Sequence, residues 1–215
     1  MIRESKVPMP TLERLATYLR YLNELEHSNI ETISSAEMEE VTGIHAAQFR
    51  KDLSYFGEFG RPGIGYNVYE LQKRIARILK VECEQAVLLV GAGNLGSALV
   101  GYDGLRRHNF HIVAAFDNNY NKIGRQLWDL EILDVNRIKE VNETLNARIA
   151  ILAVPAAAAQ GVADQLVEAG VKVILNFAPT AIKVSEEVVV RNVCFIQELT
   201  VLAFHLSPES IESAV

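Results

Sequence analysis

The chain has 215 residues, 49% of them apolar and 22% charged, with a net charge of −6. That length suits one large domain or two small ones, and that balance suits a soluble globular protein. No apolar run reaches the ~18 residues of a membrane span, and no secretory signal opens the chain, so membrane partners are not expected.

Pro8 and Pro10 precede a helix for which Thr11 is the expected N-cap, with Leu12, Leu15, Leu19 and Leu22 on one stripe. Arg14 and Arg20 lie off that stripe, and residues 24–28 make a polar end. Ser34 followed by Glu37 reads as a capping box, opening a short helix that ends near Val41 at a Thr42-Gly43 turn. A third helix is expected from about His45 to Phe56. Two short helices joined by a glycine turn form a helix-turn-helix.

The third helix sorts its faces. Ala46, Phe49, Leu53 and Phe56 point to a core, while Lys51 points the opposite way with Gln48, Ser54 and Tyr55 nearby and Arg50 on the flank. Those side chains suit base edges and phosphates, although a solvated surface helix has the same composition. Residues 57–68 hold four glycines and Pro62. They read as two short strands around a tight turn, a β-wing with Arg61 at its tip. A wing beside a recognition helix lays its basic tip on phosphates or in the minor groove. A polar helix over residues 68–80 then leads to a domain boundary near residue 80.

Residues 86–90 form a buried apolar strand, followed at once by Gly91, Ala92, Gly93, Asn94, Leu95 and Gly96. One helix is expected from there to about Arg107, then a second strand over residues 112–116 that ends on Asp117, 21 residues past Gly96. This is a dinucleotide-binding arrangement. Gly91 permits the tight turn, Gly93 lets a pyrophosphate approach the backbone, and Gly96 allows close helix–strand packing. The helix N-terminus faces the phosphates, and Asp117 is placed to accept the ribose hydroxyls. Asn118 rather than an arginine follows the acid, which favours NAD(H) over NADP(H).

A loop over residues 118–124 follows, then a short segment near 127–133 and a modest helix over 134–142. A strand over 147–154 is closed by Pro155, a helix over 156–169 ends at Gly170, and further strands cover 171–175 and 188–193. Alternating elements of these lengths make a doubly wound parallel sheet. The final helix, residues 196–206, is apolar around nearly its whole circumference. A second subunit is the natural cover for it, with packing between the chain's own domains as the alternative.

The charge is uneven. Residues 1–80 carry 11 basic and 11 acidic side chains, and residues 81–215 carry 10 and 16. Any nucleic-acid binding must therefore rest on a local patch. Cys83 and Cys194 match no metal or redox spacing, so no metal is expected, and free buried thiols in a reducing cytoplasm are.

Over nearly its full length the chain resembles the Rex family of redox-sensing transcriptional repressors. The resemblance is carried by Arg14-Leu-Ala-Thr-Tyr-Leu-Arg20, Gln48-Phe-Arg-Lys-Asp-Leu-Ser-Tyr-Phe-Gly57, Gly63-Ile-Gly-Tyr-Asn-Val68 and the glycine motif at 91–96. Phe116-Asp117, Ala153-Val-Pro155 with Ala159-Gln160, and Asn176-Phe-Ala-Pro179 add to it. It implies an α/β architecture: a winged-helix domain over residues 1–80, a Rossmann domain over 81–195 that binds NADH and NAD⁺, and a C-terminal helix over 196–215. It also implies a homodimer made by exchanging those helices, and release of operator double-stranded DNA when NADH binds. His45, Gln48, Arg50, Lys51, Ser54, Tyr55 and Arg61 are the candidate DNA contacts, with Arg50 and Lys51 in the major groove and Arg61 in the minor groove. The candidate cofactor contacts are residues 91–96, Asp117, Asn118, Tyr102, Ala153, Val154, Pro155 and Asn176. Tyr102 and Arg14 are similar to family residues near the nicotinamide and the domain interface. The chain departs from the family at Cys194, where relatives tend to have aspartate, leaving Gln197 or Glu198 as substitutes. It also departs at Pro62, which is basic in some relatives.

Two other functions share part of this pattern. An NAD-dependent dehydrogenase would need an acid–base residue near the nicotinamide, but His108 and His111 fall at the wrong end of the sheet. Nor do His27, His45 and His205 lie in the nucleotide-binding segment. A CoA- or nucleotide-binding module would not need Asp117.

Overall fold

The structure is a computed structural model that describes residues 7–25, 30–61 and 63–206. Pro62, residues 26–28 of the polar stretch (His27 among them) and the last part of the expected C-terminal segment lie outside the described residues. The chain divides into two compact units, Met1–Cys83 and Glu84–Val215.

The first unit packs α1 (Met9–Leu25), α2 (Ser35–Thr42), α3 (Ala46–Ser54) and α4 (Val68–Ile78) around one core. Leu15, Tyr18, Leu19 and Leu22 of α1 meet Met38, Phe49, Leu53, Leu71 and Ile75 there. Phe49 stands edge-on to both Tyr18 and Tyr66, with ring centroids 4.8 and 5.2 Å apart. The helix α1 starts two residues before Thr11, because Pro10 fits a first turn that needs no N–H donor. Thr11 is therefore buried inside the helix rather than capping it. The capping box at α2 has both of its bonds: Glu37 N–H to Ser34 Oγ at 3.1 Å and Ser34 N–H to Glu37 Oε2 at 2.7 Å. The helix α4 is amphipathic, with Val68, Leu71 and Ile75 buried.

The expected wing has a different build. Strand β2 (Tyr66–Asn67) pairs antiparallel with β1 (Thr32–Ile33), which precedes α2, while the turn itself is closed by a single bridge between Arg61 and Gly65. Arg61 thus stands at the base of the turn, not at its tip. Gly65 has a left-handed φ of 95°, and a Cβ there would lie 2.7 Å from the Ile33 carbonyl oxygen, so the approach of β2 to β1 requires glycine.

The second unit is a seven-stranded sheet. Its strands are β3 (Gln85–Val90), β4 (Phe110–Asp117), β5 (Gln126–Leu127), β6 (Leu130–Asp134), β7 (Ile149–Leu152), β8 (Val173–Asn176) and β9 (Val189–Asn192), in the order β5-β6-β4-β3-β7-β8-β9. Only β5 runs antiparallel to its neighbour. The strand order reverses between β3 and β7, and the crevice at their carboxyl ends is where such sheets bind ligands. The continuous apolar runs of β3 and β4 are buried because α7 (Ile138–Leu145) and α8 (Ala156–Glu168) supply apolar faces to the core that holds Leu88, Val90 and Phe116.

The single helix expected after the glycine motif is two. Helix α5 (Asn94–Val100) stops at Gly101, and α6 (Asp103–Arg107) begins with Tyr102 at its N-cap. Trp128, at the turn between β5 and β6, packs against the break. Its indole N–H donates to the Ser97 carbonyl at 3.2 Å, and its ring occupies the space a Cβ on Gly101 would need. The helix expected from Asp134 starts later: the Asp134 carboxylate caps one 3₁₀ turn (Val135–Arg137), and α7 follows. The last helix, α9 (Phe195–Ala203), buries no residue. Leu199 is 65% exposed and Phe204, just past the helix, 86%. Cys194 sits at its N-cap and makes no capping bond there, and Cys83 is exposed rather than buried.

Candidate functional site

The sequence of β3 directs the chain into a cleft of about 630 Å³ at the carboxyl ends of β3, β4 and β7. Gly91, Gly93, Asp117, Asn118, Ala153, Val154 and Pro155 line it. Gly91 has a φ of 104°, and a Cβ there would strike the Ala153 carbonyl. A Cβ on Gly96 would strike the Gly91 carbonyl oxygen, so the first turn of α5 lies directly on the loop. Gly93 meets nothing within 4 Å and leaves its side of the cleft open to a ligand. These features form a cradle that fits a pyrophosphate beside free backbone N–H groups.

Asp117 ends β4 and is 7% exposed. Its Oδ2 accepts the Ala92 N–H at 3.0 Å and the Lys122 ammonium at 2.8 Å, and its Oδ1 accepts the Asn119 N–H at 2.9 Å. Burial alone would push this carboxyl up, but the Lys122 hydrogen bond and charge and the two backbone donors outweigh it and hold it below the usual carboxylate range. The carboxylate thereby clips the glycine loop to the turn after β4. A cation does reach the acid, five residues on rather than next to it.

Other residues named from sequence are placed elsewhere. Ala92 lies in the loop and Asn94, Leu95 and Gly96 in the first turn of α5, and none of the four lines the cleft. Tyr102 is 61% exposed, its ring folded over Gly104, and it also lies off the cleft lining. Asn176 is fully buried, and its amide donates to the Thr180 carbonyl and to Asn192 Oδ1, both at 2.8 Å. Sequence reasoning missed Val90, Asn119, Lys122, Val135, Ala157, Ala158 and Val162, which complete the lining. For Lys122 the signal was its position in the polar loop directly after the acid.

In the first unit, α3 presents Arg50, Lys51 and Ser54 outward, and Tyr55 at its C-cap is exposed as well. Arg50 Nη1 donates to Ser35 Oγ at 2.7 Å, and Arg50 and Arg61 share a groove of about 540 Å³ with Ser34, Ser35 and Tyr66. Lys51 is exposed and forms no ion pair among the described residues. His45, at the N-cap, makes no capping bond, and its Nδ1 lies 2.8 Å from Glu39 Oε1. The other Glu39 oxygen accepts the Ala46 N–H at 2.8 Å, doing the capping instead. Gln48, expected to face outward, is half-buried and donates its amide to Asp52 Oδ1 at 2.9 Å.

Asp52 is the unforeseen centre of this unit. Fully buried, it also accepts the Thr11 hydroxyl at 3.1 Å, the Tyr18 hydroxyl at 3.0 Å and both arms of Arg14. Burial raises its carboxyl, but the bonds from Arg14, Gln48 and Tyr18 win and keep it below the usual range. Burial and the Asp52 contact in turn push the Tyr18 hydroxyl well up. Among the described residues no cluster of metal-ligating side chains occurs, and no helix is long and apolar enough to cross a membrane.

Comparison with known proteins matches residues 6–54 to a family described as "Putative DNA-binding protein N-terminus" and residues 82–180 to the CoA binding domain family. The redox-sensing transcriptional repressor Rex of Carboxydothermus hydrogenoformans is 48% identical over 201 residues, which are 94% of this chain and 97% of that protein. Rex of Pelotomaculum thermopropionicum is 47% identical, with 94% of each chain covered. Among solved structures, RSP in complex with NAD⁺ and operator DNA superposes with a TM-score of 0.88 at 37% identity, covering 96% of this chain and 95% of that one. RSP in complex with NADH superposes at 0.84 and 35% identity, covering 97% and 98%. Identity at this level across nearly the whole of both chains means that this chain belongs to the Rex family of redox-sensing transcriptional repressors.

Proposed function

We propose that this chain is a cytoplasmic, dimeric repressor that grips operator DNA through α3 and the Arg61 turn, and releases it when NADH enters the cleft beside Asp117. One observation carries the reading: a single chain joins a dinucleotide-type cleft at a topological switch point to a separate unit with a cationic helix face. RSP, a relative, was solved with NAD⁺ and operator DNA and again with NADH, which supports carrying both ligands over to this chain. The apolar exposed face of α9 supports a homodimer, since a patch of that kind on a free monomer is an association surface.

The chain is a regulator rather than an enzyme. The ionisable side chains lining the cleft, Asp117 and Lys122, bond to each other, and His108 is held by the Gly104 carbonyl at the amino end of the sheet. That leaves a hydride-transfer reaction without an acid–base partner in the cleft. The CoA binding description fits the fold of residues 82–180, but the buried acid at the end of β4 suits a ribose diol.

The test starts with duplex DNA that the protein itself selects from a random library. Affinity for that DNA is then measured at fixed salt while NADH and NAD⁺ are varied separately. Release by NADH at concentrations where NAD⁺ has little effect is expected. Selection of no sequence, or DNA binding indifferent to NADH, overturns the proposal.

A further inference from the structure

We infer that Lys122 sets how strongly this cleft discriminates against a nucleotide carrying a 2′-phosphate, and that it does so by opposing Asp117. The inference rests on the dinucleotide reading above and concerns the ribose end of the cleft.

Asp117 already accepts three hydrogen bonds, from Ala92 N–H, Asn119 N–H and the Lys122 ammonium, and its Oδ2 takes two of them. A ribose that bonds this carboxylate through both hydroxyls competes with those donors, and the most mobile of them yields. The two backbone donors are fixed in the glycine loop and in the turn after β4. Lys122 is the exchangeable one: its side chain is 36% exposed and lines the cleft.

Once displaced, the ammonium stays beside the ribose, because its backbone is held. The Lys122 N–H donates to the Asn119 carbonyl at 2.8 Å, and the Gly124 N–H donates to the Ile132 carbonyl at 2.8 Å. Next to a 2′-hydroxyl the ammonium finds only a weak acceptor. Next to a 2′-phosphate it finds a strong anionic one, and a lysine binds phosphate well as a point charge. The pair presents no net charge where the carboxylate alone would present −1, so part of the repulsion that Asp117 exerts on a 2′-phosphate is cancelled. Lys122 therefore narrows the preference for NADH over NADPH that Asp117 creates.

The experiment titrates the full chain with NADH and NADPH, following nicotinamide fluorescence, for wild type, Lys122→Gln and Lys122→Arg. Thermal melting checks that each variant is folded. Lys122→Gln should raise the NADPH-to-NADH ratio of dissociation constants roughly tenfold, the scale of one charge-assisted hydrogen bond. Lys122→Arg should keep it within about twofold of wild type, since the cation is retained. An unchanged ratio in Lys122→Gln overturns the inference while NADH binding stands. Binding of neither nucleotide by wild type overturns the dinucleotide reading and this inference with it.

Discussion

Arg14 and Asp52 form a two-armed ion pair, Nε to Oδ2 at 2.6 Å and Nη2 to Oδ1 at 2.7 Å, that ties α1 to α3. With Thr11, Tyr18 and Gln48 also donating, one carboxylate receives five hydrogen bonds at the root of the helix that presents Lys51. Asparagine at this position would remove the charge that answers Arg14 and turn an amide N–H₂ towards groups that donate to the carboxylate here. Asp52→Asn should therefore cost about 3 kcal/mol, the lower end for breaking a buried pair, because Arg14 can reach water. Urea denaturation followed by circular dichroism measures this. NADH affinity of the same variant should hold, since the cleft lies in the other unit, and its loss would mean that the damage is not local.

The same bonds set an acid limit. Asp52 and Asp117 both titrate below the usual carboxylate range when folded, whereas an unfolded aspartate titrates near ~3.9. The unfolded chain thus binds more protons on the acid side. The stabilisation is complete above the unfolded value and drains away as pH falls through the folded ones. Stability should be level above about pH 5 and drop below about pH 4. Asp52→Asn should make that drop shallower, and a parallel pH profile in the variant would remove Asp52 as a cause.

How legible these features were depends on the range of the contacts that made them. The β3–glycine loop–β4 segment could be read because buried parallel strands are continuous apolar runs and the turn chemistry is local. The capping box at Ser34 was equally local. Asp52 escaped because a helical wheel sorts residues by polarity, and its partner Arg14 lies 38 residues away. The break at Gly101 escaped for a like reason: Leu99, Val100 and Leu105 continue an apolar pattern, and the ring that packs at the break, Trp128, comes from a later hairpin. The wing strand was misjudged because its partner, β1, precedes α2.

The exposed face of α9 predicts association. Leu199→Glu with Leu202→Glu places two further charges among the exposed apolar side chains of α9, with both positions more than 60% exposed. Light scattering should report a dimer for wild type and a monomer for the double variant, because burying unpaired carboxylates is costly. Truncation after Arg191 is a poorer test, because it also cuts into β9. A dimeric double variant would place the interface elsewhere.

Arg50 and Lys51 should differ in kind. Lys51 is exposed and without an ion pair among the described residues, and it suits a base edge. Lys51→Ala should weaken operator binding by about 1–3 kcal/mol and relax sequence preference. Arg50, held by Ser35 beside Arg61, suits a phosphate. Arg50→Ala should weaken binding to all sequences alike and reduce the salt slope by about 1. DNA titrations at several salt concentrations separate the two, and wild-type binding by both variants would remove α3 as the recognition helix.

The last prediction concerns the linkage between the two units. Every residue of the nucleotide cleft lies in Glu84–Val215 and every residue of the α3 face lies in Met1–Cys83. On the proposed reading NADH and DNA meet different groups, so an effect of one on the other is a coupling free energy. Coupling of ~1–3 kcal/mol, the common range, changes operator affinity roughly 5–150-fold. Linkage then requires DNA to weaken NADH binding by the same factor. NAD⁺ should couple less, or with opposite sign, because its nicotinamide ring is charged and planar where that of NADH is neutral. The measurement is NADH affinity with and without saturating operator DNA, repeated with NAD⁺. A repressor that NADH dislodges must bind NADH more weakly on DNA. Equal NADH affinities on and off DNA would mean that the cleft beside Asp117 does not govern the grip of α3.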